Sequence, residues 1–418
     1  MTPKALFALC DELLHEVLRF TQPADAVVSA FFRRQRALGV RERHTLAETV
    51  YAVVRERLRY QYLAKSGTGS LERRLILLAW QGSDSYMHAV ATPDELKWVA
   101  TVKLLSLAKQ PDNLRHNLPE WLAEALKQEL GDQFWPLAES LMKPAGLDLR
   151  ANLLKSRRDE VRATLAEEGI ATEPTPFSPW GLRTTGKPTL NRTETFTRGE
   201  VEVQDEGSQL LALLTEARRG EMVVDFCAGA GGKTLALGAM MRNTGRLYAF
   251  DVSAHRLAAL KPRLARSGLS NVYPAGIAHE RDDRIKRLGG KIDRVLVDAP
   301  CSGLGTLRRN PDLKWRQSPQ SVAELVAKQT AILASASRLL KPGGRLVYAT
   351  CSLLKAENEE IAAAFSAAHP DFEPLDAAEV LARQNVPDAA TLTSNGYLRL
   401  WPHQHATDGF FAAVWQRR

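Results

Sequence analysis

Apolar residues recur every three or four positions in the first 140 residues, which is the spacing of one helix face. Two series show this spacing: Leu6, Leu9, Leu13, Val17 and Leu18, then Leu46, Val50, Val53, Val54 and Leu58. The spacing predicts a helical domain over residues 1–140. A bundle with no chemistry of its own is one interpretation, and a module that docks RNA or a partner protein is the other.

Further along the chain, apolar residues alternate with polar ones, as in a half-buried strand: Leu147, Leu149, Ala151 and Leu153. A helix-like stretch from Arg157 to Glu168 follows. Short segments punctuated by Pro, Thr and Gly continue to Gly199. The pattern predicts a small α+β subdomain over residues 147–200.

Residues 201–418 alternate short apolar runs with helix-like stretches. Four of the runs are typical of buried strands: residues 222–226, 246–251, 293–298 and 344–349. Strands and helices in alternation predict βαβ units and a mostly parallel sheet. Ligands of such sheets bind beyond the carboxyl ends of the strands, so the residues that follow each strand are the candidates for chemistry.

The composition narrows the class of protein. Lys and Arg number 56 against 48 Asp and Glu, a net charge of +8 that permits a nucleic-acid partner without proving one. Four scattered cysteines without a CxxC pair predict neither a disulfide framework nor a metal site. The sequence shows no secretion-signal pattern and no apolar run of transmembrane length. We therefore expect a cytoplasmic protein without membrane association.

A glycine-rich loop follows the first of these strands: Asp225-Phe226-Cys227-Ala228-Gly229-Ala230-Gly231-Gly232-Lys233-Thr234. A phosphate-binding P-loop needs glycine where Cys227 stands, and a dinucleotide-binding loop needs glycine at Thr234. Asp251 ends the next strand, 20 residues after Gly231, where a carboxylate can accept hydrogen bonds from ribose hydroxyls. Together these features indicate a nucleoside-containing cofactor without a pyrophosphate, and S-adenosylmethionine fits that description.

Two cysteines and a carboxylate follow two further strands. Asp298 and Cys301 come after one apolar run, and Cys351 comes after the next. A buried cysteine is often only a small apolar side chain, but these two fall where ligands bind. A thiolate that adds to C6 of cytosine makes C5 nucleophilic toward a methyl donor. Asp298 could protonate or hydrogen-bond N3, or bind the exocyclic amine, and a base must then remove the C5 proton.

These stretches resemble a known family. The resemblance rests on residues 227–234, on Asp298-Ala299-Pro300-Cys301-Ser302-Gly303 and on Thr350-Cys351-Ser352. They look like the RNA (cytosine-5)-methyltransferases of the Sun/NSUN family, with the bacterial RsmB-like branch closest in pattern. Residues 203–209, 308–315, 341–344 and 408–412 agree as well. The likeness covers residues 147–418, whereas residues 1–140 only loosely resemble the NusB-like helical domain of that branch.

The resemblance implies a class I methyltransferase over residues 201–418, an α/β Rossmann-like fold with a mostly parallel seven-stranded sheet. It implies that residues 147–200 form an RNA-binding subdomain. Cys351 would be the nucleophile, Cys301 would assist product release, and Asp298 would serve both the methyl-transfer site and the cofactor site. The other residues expected to bind S-adenosylmethionine are Cys227, Ala228, Gly229, Ala230, Gly231, Gly232, Lys233 and Asp251.

Two positions depart from the family pattern. Gly229-Ala230 stands where the family usually has Ala-Pro. The family also carries an Asp after the third strand, near the adenine, and residues 273–280 of this chain contain none. Asp282 and Asp283 come slightly late, and His279 or Glu280 are the candidates to replace the missing contact.

A basic segment beside Cys301 is the candidate RNA contact: Arg308, Arg309, Lys314 and Trp315. The cations would bind phosphates, and the indole would stack on a base or simply pack. RNA as the substrate follows from the resemblance, with ribosomal RNA favoured and tRNA open, and a monomer is expected. The alternatives are a non-catalytic RNA-binding assembly factor on the same scaffold and, on Gly232-Lys233-Thr234 alone, a P-loop ATPase.

Overall fold

The computed structural model describes residues 1–106, 109–186 and 188–418. The chain divides into two compact units. The first comprises Met1–Pro144 and Thr306–Pro319, and the second comprises Ala145–Gly305 and Gln320–Arg418. A segment from the C-terminal half is thus folded with the N-terminal unit, which the apolar pattern did not predict. In the described part of the chain, no helix is both long and apolar enough to cross a bilayer.

The first unit is helical, as the apolar spacing predicts. Its N-terminal helices are α1 (Pro3–Val17), α2 (Ala24–Arg34), α3 (Val40–Arg55), α4 (Arg57–Ala64), α5 (Leu71–Ala79), α6 (Asp84–Val90), α7 (Pro93–Lys103), α8 (Asp112–His116), α9 (Glu120–Leu130) and α10 (Phe134–Leu141). Leu6, Leu13 and Val17 of the first predicted series lie on the buried face of α1. Thr2 caps this helix, because its side chain accepts a hydrogen bond from the N–H of Ala5 at 3.4 Å.

The second predicted series lies in α3 and packs on the same core. Leu46, Val50 and Val53 are fully buried there, together with Leu13 and Phe31. Burying one apolar side chain of this size is worth about 1.5–3 kcal/mol relative to leaving it exposed. Packing of these faces, more than helix propensity, therefore holds the helices.

The second unit begins with a four-stranded antiparallel sheet. Its strands are β1 (Asp148–Ala151), β2 (Thr172–Pro174), β3 (Gly181–Thr184) and β4 (Val201–Val203), in the order β2-β3-β1-β4. Helices α11 (Arg158–Glu167) and α12 (Glu194–Thr197) accompany it. Leu149, Val161 and Leu182 are fully buried in a small core of its own. Strand β1 and helix α11 coincide with the strand and the helix that the sequence pattern indicates after residue 147.

The rest of the second unit is built on a sheet for which the described residues supply nine strands. The strands are β5 (Met222–Asp225), β6 (Arg246–Asp251), β7 (Val272–Gly276), β8 (Ile292–Asp298), β9 (Leu340–Thr350), β10 (Phe372–Leu375), β11 (Thr393–Ser394), β12 (Tyr397–Leu400) and β13 (Phe410–Arg417). Their order is β11-β12-β13-β9-β8-β5-β6-β7, and β10 pairs with β13. Strands β5 to β9 pair in parallel, and β13 runs antiparallel to β9. The α/β fold is confirmed, but among the described residues the sheet has nine strands and not seven: β10 and β12 both pair with β13, and β11 extends the edge beyond β12.

Helices cover both faces of this sheet. The remaining helices are α13 (Glu206–Leu213), α14 (Gly232–Met240), α15 (Ala254–Ser267), α16 (Asp283–Lys286), α17 (Leu313–Arg316, in the first unit), α18 (Pro319–Ser337), α19 (Glu359–Ala368), α20 (Ala377–Arg383) and α21 (Pro402–His405). Val223 and Val224 are neighbours in β5 but belong to two different apolar cores. Successive side chains of a strand point to opposite faces, so the sheet is buried on both sides. The polar loops therefore gather at the ends of the strands.

Candidate active site

The loops that follow β5, β6, β8 and β9 meet around one cavity of about 920 Å³. Strand β5 lies between β6 and β8, and β9 lies on the far side of β8. Each of the four loops or strand ends contributes a polar side chain to the cavity wall: Asp225, Asp251, Asp298 and Cys351. The volume is in the range of small-molecule and cofactor sites. This is the edge of the sheet at which the sequence predicts ligand binding.

The glycine-rich loop turns tightly between β5 and α14. Gly229 and Gly231 have φ values of 55° and 84°, in the left-handed region that favours glycine. A Cβ atom at Gly231 would lie 2.1 Å from Cδ1 of Leu260 in α15, so Gly231 packs behind the loop. The other six residues predicted here for cofactor binding line the cavity: Cys227, Ala228, Gly229, Ala230, Gly232 and Lys233.

Asp251 lies at the end of β6, next to β5, and its carboxylate is hydrogen-bonded to the glycine loop that follows β5. Its carboxylate oxygens accept hydrogen bonds from the N–H groups of Gly229 and Ser253, at 2.8 and 2.7 Å. Each oxygen has a second lone pair, and the residue lines the cavity. Asp251 can therefore accept hydrogen bonds from ribose hydroxyls while it fixes the turn, a second task that the sequence did not predict.

Asp225, the acidic residue that opens the loop, is buried and lines the same cavity. Its Oδ2 accepts a hydrogen bond from Oγ1 of Thr234 at 2.7 Å, and its Oδ1 has no hydrogen-bond partner among the described residues. Burial raises the pKa of this carboxyl to about 7. A buried acceptor without a donor costs free energy. The site therefore fits a ligand that brings an N–H group to Oδ1, such as the amino group of S-adenosylmethionine.

An ion pair joins the glycine-rich loop to the end of β8. Nζ of Lys233 donates a hydrogen bond to Oδ2 of Asp298 at 2.7 Å. Burial lowers the pKa of Lys233, but Asp298 and the negative charge of a Cys351 thiolate more than offset this, so the pKa lies above its ordinary value. Lys233 is thus an ammonium group whose positive charge acts on both the carboxylate and the candidate nucleophile.

The two cysteines predicted to act together lie side by side. The Sγ atoms of Cys301 and Cys351 are 3.4 Å apart. Strands β8 and β9 are parallel neighbours, and each cysteine follows the carboxyl end of its strand. The contact with Cys351 and burial raise the pKa of Cys301 well above its ordinary value. Burial also raises the pKa of Cys227, so that this residue lines the cavity as an uncharged thiol.

The loop after β7, which lacks the acidic residue of the family pattern, reaches the cavity through His279 and Glu280. Asp282 caps α16 instead, and its carboxylate accepts the N–H of Ala278 at 3.0 Å. Nδ1 of His279 accepts the N–H of Arg281 at 3.1 Å, so Nε2 is the ring nitrogen left for a ligand contact. His279 and Glu280 stay the candidates for the adenine contact.

Sequence reasoning missed several residues of the cavity wall. Gln204 contributes from the turn after β4, Ser208 from α13, Arg263 from α15 and Lys328 from α18. Arg263 donates a hydrogen bond to the carbonyl oxygen of Ala230 at 2.7 Å and so supports the glycine loop. The stretch 203–209 stood out by its family resemblance, but no local pattern in α15 or α18 marks Arg263 or Lys328.

Part of the basic segment predicted to contact RNA is an internal piece of the first unit. Lys314 is 3% exposed and donates a hydrogen bond to the carbonyl oxygen of Arg55 at 2.7 Å. Nε1 of Trp315 donates to the carbonyl oxygen of Val54 at 2.7 Å. The prediction assumed a solvated loop, whereas the end of α3 binds both side chains. This burial does not agree with a phosphate contact by Lys314, and it favours packing over base stacking for Trp315.

Arg308 and Arg309 come before Lys314 and Trp315 in the sequence and are half-buried in the same unit. The carbonyl oxygen of Arg308 accepts a hydrogen bond from Nη2 of Arg55 at 3.2 Å. Contact of these two arginines with RNA stays a prediction.

The fold and the site define the class of protein. Five parallel strands, a Gly-x-Gly loop after the first of them and a carboxylate at the end of the next form a class I methyltransferase domain. The family model described as 16S rRNA methyltransferase RsmB/F matches residues 212–416. The model described as the RsmF/B-like ferredoxin-like domain matches residues 118–189.

Curated relatives agree with these matches. The ribosomal RNA small subunit methyltransferase B of Yersinia pseudotuberculosis (serotype O:1b, strain IP 31758) is 33% identical over 313 residues, which are 75% of this chain and 69% of that protein. A Synechocystis protein named "Probable ribosomal RNA small subunit methyltransferase B" is 37% identical over 305 residues, 72% of this chain and 66% of that protein. The chain belongs to the RsmB/F family of 16S rRNA methyltransferases, and the resemblance drawn from its motifs is confirmed.

Solved structures agree with the fold. The crystal structure of PH0851 matches 100% of this chain and 99% of its own, with a TM-score of 0.79 and 26% identity. A methyltransferase homolog protein from Pyrococcus horikoshii matches 73% of this chain and 97% of its own, with a TM-score of 0.62 and 28% identity. The family and the fold support S-adenosylmethionine as the cofactor, as the sequence predicts.

Proposed function

We propose that this protein transfers a methyl group to C5 of a cytosine in ribosomal RNA, with Cys351 as the nucleophile. The observation that carries the proposal is the pair of thiols 3.4 Å apart, because methyl transfer to a small molecule requires neither. Family membership supports ribosomal RNA as the substrate. The chain spans 66% of the length of the Synechocystis relative, so the activity of the whole protein is part of the proposal.

The cofactor would lie between the loops that follow β5 and β6. Asp251 would accept hydrogen bonds from its ribose hydroxyls, and Oδ1 of Asp225 from its amino group. The glycine loop lines the cavity of about 920 Å³, which leaves space for a ligand beside it. When bound, S-adenosylmethionine supplies an electrophilic methyl group on a sulfonium centre.

The charges around the two cysteines support Cys351 as the attacking residue. The Lys233 ammonium stabilises negative charge on Cys351, whereas the contact between the thiols keeps the pKa of Cys301 high. A thiolate and not a thiol is the nucleophile. Attack by Cys351 forms a bond from Sγ to C6 of the ring and places electron density at C5.

Asp298 has a role on the base. The sequence left two roles open, protonation of N3 or binding of the exocyclic amine. Since Asp298 is ion-paired with Lys233 at 2.7 Å, it is a carboxylate that accepts hydrogen bonds. The pair therefore supports binding of the amine, which would orient C6 toward Cys351.

Release of the product needs the second thiol. The C5–H and C6–S bonds must break while the C5=C6 double bond forms again. Cys301, within 3.4 Å of the leaving sulfur, can protonate it and take up the C5 proton in exchange. Both cysteines then end as thiols, and the proton count balances.

The RNA must present an unpaired or flipped-out cytosine to reach Cys351. The four-stranded sheet of residues 148–203 is the proposed RNA-binding subdomain, and Arg308 and Arg309, seven and eight residues after Cys301, are proposed phosphate contacts. The same proposal includes a monomer that acts in the cytoplasm, and tRNA is the alternative substrate.

Incubation with labelled S-adenosylmethionine and unmodified small-subunit ribosomal RNA, or tRNA, tests the function. After digestion to nucleosides, we expect label in 5-methylcytidine from the ribosomal RNA. Label only in the tRNA sample would change the substrate, and label in a different nucleoside would overturn the reaction. Failure of the cofactor to bind in calorimetry would favour a non-catalytic RNA-binding factor.

A further inference from the structure

A buried carboxylate ties together the two loops that carry the cysteines. Glu357 is 0% exposed. Its Oε1 accepts the N–H of Ser302 at 2.8 Å, and its Oε2 accepts the hydroxyl of Ser302 at 2.5 Å and the hydroxyl of Ser352. Ser302 and Ser352 directly follow Cys301 and Cys351 in the sequence. One side chain is therefore bonded to the immediate neighbour of each thiol.

All the hydrogen-bonding capacity of this carboxylate is used inside the protein. The fourth donor is Nε2 of Gln329, at 2.9 Å from Oε1, and the same nitrogen bonds the carbonyl oxygen of Pro300 at 2.9 Å. Two carboxylate oxygens offer about four acceptor positions, and four donors occupy them. Glu357 is not among the described residues that line the cavity, so we expect it to contact neither substrate nor cofactor.

We propose that Glu357 is a positioning residue that sets the separation and direction of the Cys301 and Cys351 thiols; this inference rests on the proposed function. Four hydrogen bonds converge on this one side chain, so the link through Ser302 and Ser352 is stiff. A backbone bond from the N–H of Gly305 to the carbonyl oxygen of Cys351, at 2.8 Å, joins the same two loops. These contacts together hold the sulfur atoms 3.4 Å apart.

The reaction depends on that placement at both of its steps. Cys351 must reach C6 at attack, and Cys301 must stay close to the same sulfur at release. A displacement of about 1 Å can cost about 100-fold in rate. Without Glu357, the donors on Ser302, Ser352 and Gln329 lose their common acceptor, so the two cysteine loops are held less rigidly.

The test separates attack from release. The Cys301→Ala variant is expected to stop at the covalent enzyme–RNA adduct, so the rate at which this adduct appears on a denaturing gel measures attack alone. We expect the double variant, which carries both Cys301→Ala and Glu357→Ala, to form the adduct about 100-fold more slowly than the single variant Cys301→Ala. The calorimetric Kd for S-adenosylmethionine and the half-saturating RNA concentration should stay within about 2-fold, because we expect Glu357 to contact neither ligand.

Glu357→Gln is the conservative variant. Its oxygen can still accept from Ser302 N–H and Gln329, and the two serine hydroxyls can rotate to accept from its amide group. We expect the adduct rate to recover to within about 10-fold of the Cys301→Ala value. If Glu357→Gln and Glu357→Ala lower the adduct rate equally, the charge of Glu357 matters and its hydrogen-bond link does not. That result would overturn the positioning role.

Glu216→Gln in the same background is the matched control. Glu216 is also a buried carboxylate of the second unit, bonded to Arg345 and Arg383. Arg345 lies six residues before Cys351 along β9, about 20 Å away at the rise of a strand. We expect Glu216→Gln to lower the Tm without changing the adduct rate, so that loss of stability alone does not imitate loss of positioning.

The possible failures are distinguishable. If Cys301→Ala forms no adduct and the unmodified protein forms no 5-methylcytidine, the proposed function fails. If Cys301→Ala forms the adduct and the further Glu357→Ala change leaves its rate unaltered in folded protein, only the positioning inference fails.

Discussion

The Sγ atoms of Cys301 and Cys351 lie 3.4 Å apart although 50 positions separate the two residues in the sequence. Each cysteine follows one of two adjacent parallel strands, so the sheet itself brings the thiols to one edge. Their contact raises the pKa of Cys301, and the Lys233 ammonium favours negative charge on Cys351. The surroundings of the two thiols are therefore asymmetric, and this asymmetry supports the two proposed roles.

Cys351→Ala should abolish methylation, because it removes the proposed nucleophile that attacks C6. We expect turnover to fall below detection while the Kd for S-adenosylmethionine and the Tm stay near those of the unmodified protein. An assay for labelled 5-methylcytidine measures the turnover, and calorimetry measures the Kd and the Tm. Cys10→Ala, which removes a thiol of the first unit, should leave turnover intact. Undiminished turnover in Cys351→Ala would contradict the assignment.

Cys301→Ala should accumulate a covalent complex between Cys351 and the RNA, because attack proceeds while release is blocked. The complex should appear as a slowly migrating band on a denaturing gel and vanish in the variant that also carries Cys351→Ala. Normal product release by Cys301→Ala would show instead that Cys301 has a structural role only.

Lys233→Gln should slow methylation most at neutral pH. The substitution removes the cation that stabilises a thiolate on Cys351 and that pairs with Asp298 at 2.7 Å. We expect a loss of about 10- to 100-fold at pH 7, which corresponds to about 1.4–2.7 kcal/mol, and a smaller loss at higher pH. A pH profile of single-turnover rates checks this. A loss that is the same at every pH would assign Lys233 to cofactor binding alone.

Lys314→Met should flatten the pH dependence of stability. Burial lowers the pKa of Lys314 to about 7 in the folded protein, whereas an unfolded lysine titrates near 10.4. Between these values the unfolded chain binds one more proton, so stability rises with pH by at most about 1.4 kcal/mol per unit. Methionine buries no charge, and the variant should therefore gain most over the unmodified protein below pH 7.

Urea unfolding at pH 6, 7, 8 and 9 measures the slope for Lys314→Met. Lys103→Met, a change of an exposed lysine on α7, should keep the slope of the unmodified protein. Parallel curves for Lys314→Met and the unmodified protein would show that burial does not lower the pKa of Lys314.

The candidate site was largely predictable because its residues follow strands that the local pattern reveals. A buried parallel strand is a short apolar run, and all such strands end at the same edge of the sheet. The apolar runs alone therefore predict that Asp251, Asp298, Cys301 and Cys351 lie near one ligand, and all four line the cavity. Six of the seven predicted loop residues line it as well. Gly231 does not, because its partner Leu260 comes from a helix that the loop sequence does not specify.

By itself, the sequence determined four of the five described parallel strands and the candidate residues at their ends, because spacing and residue type act over a few neighbouring positions. Only the tertiary structure decided which charged side chains are buried and hydrogen-bonded to other parts of the protein. Lys314 bonds to a carbonyl 259 positions earlier, and Glu357 bonds to Ser302, 55 positions earlier. A buried polar group must find a partner wherever the fold supplies one. That partner is set by the packing of distant segments, which no local pattern records.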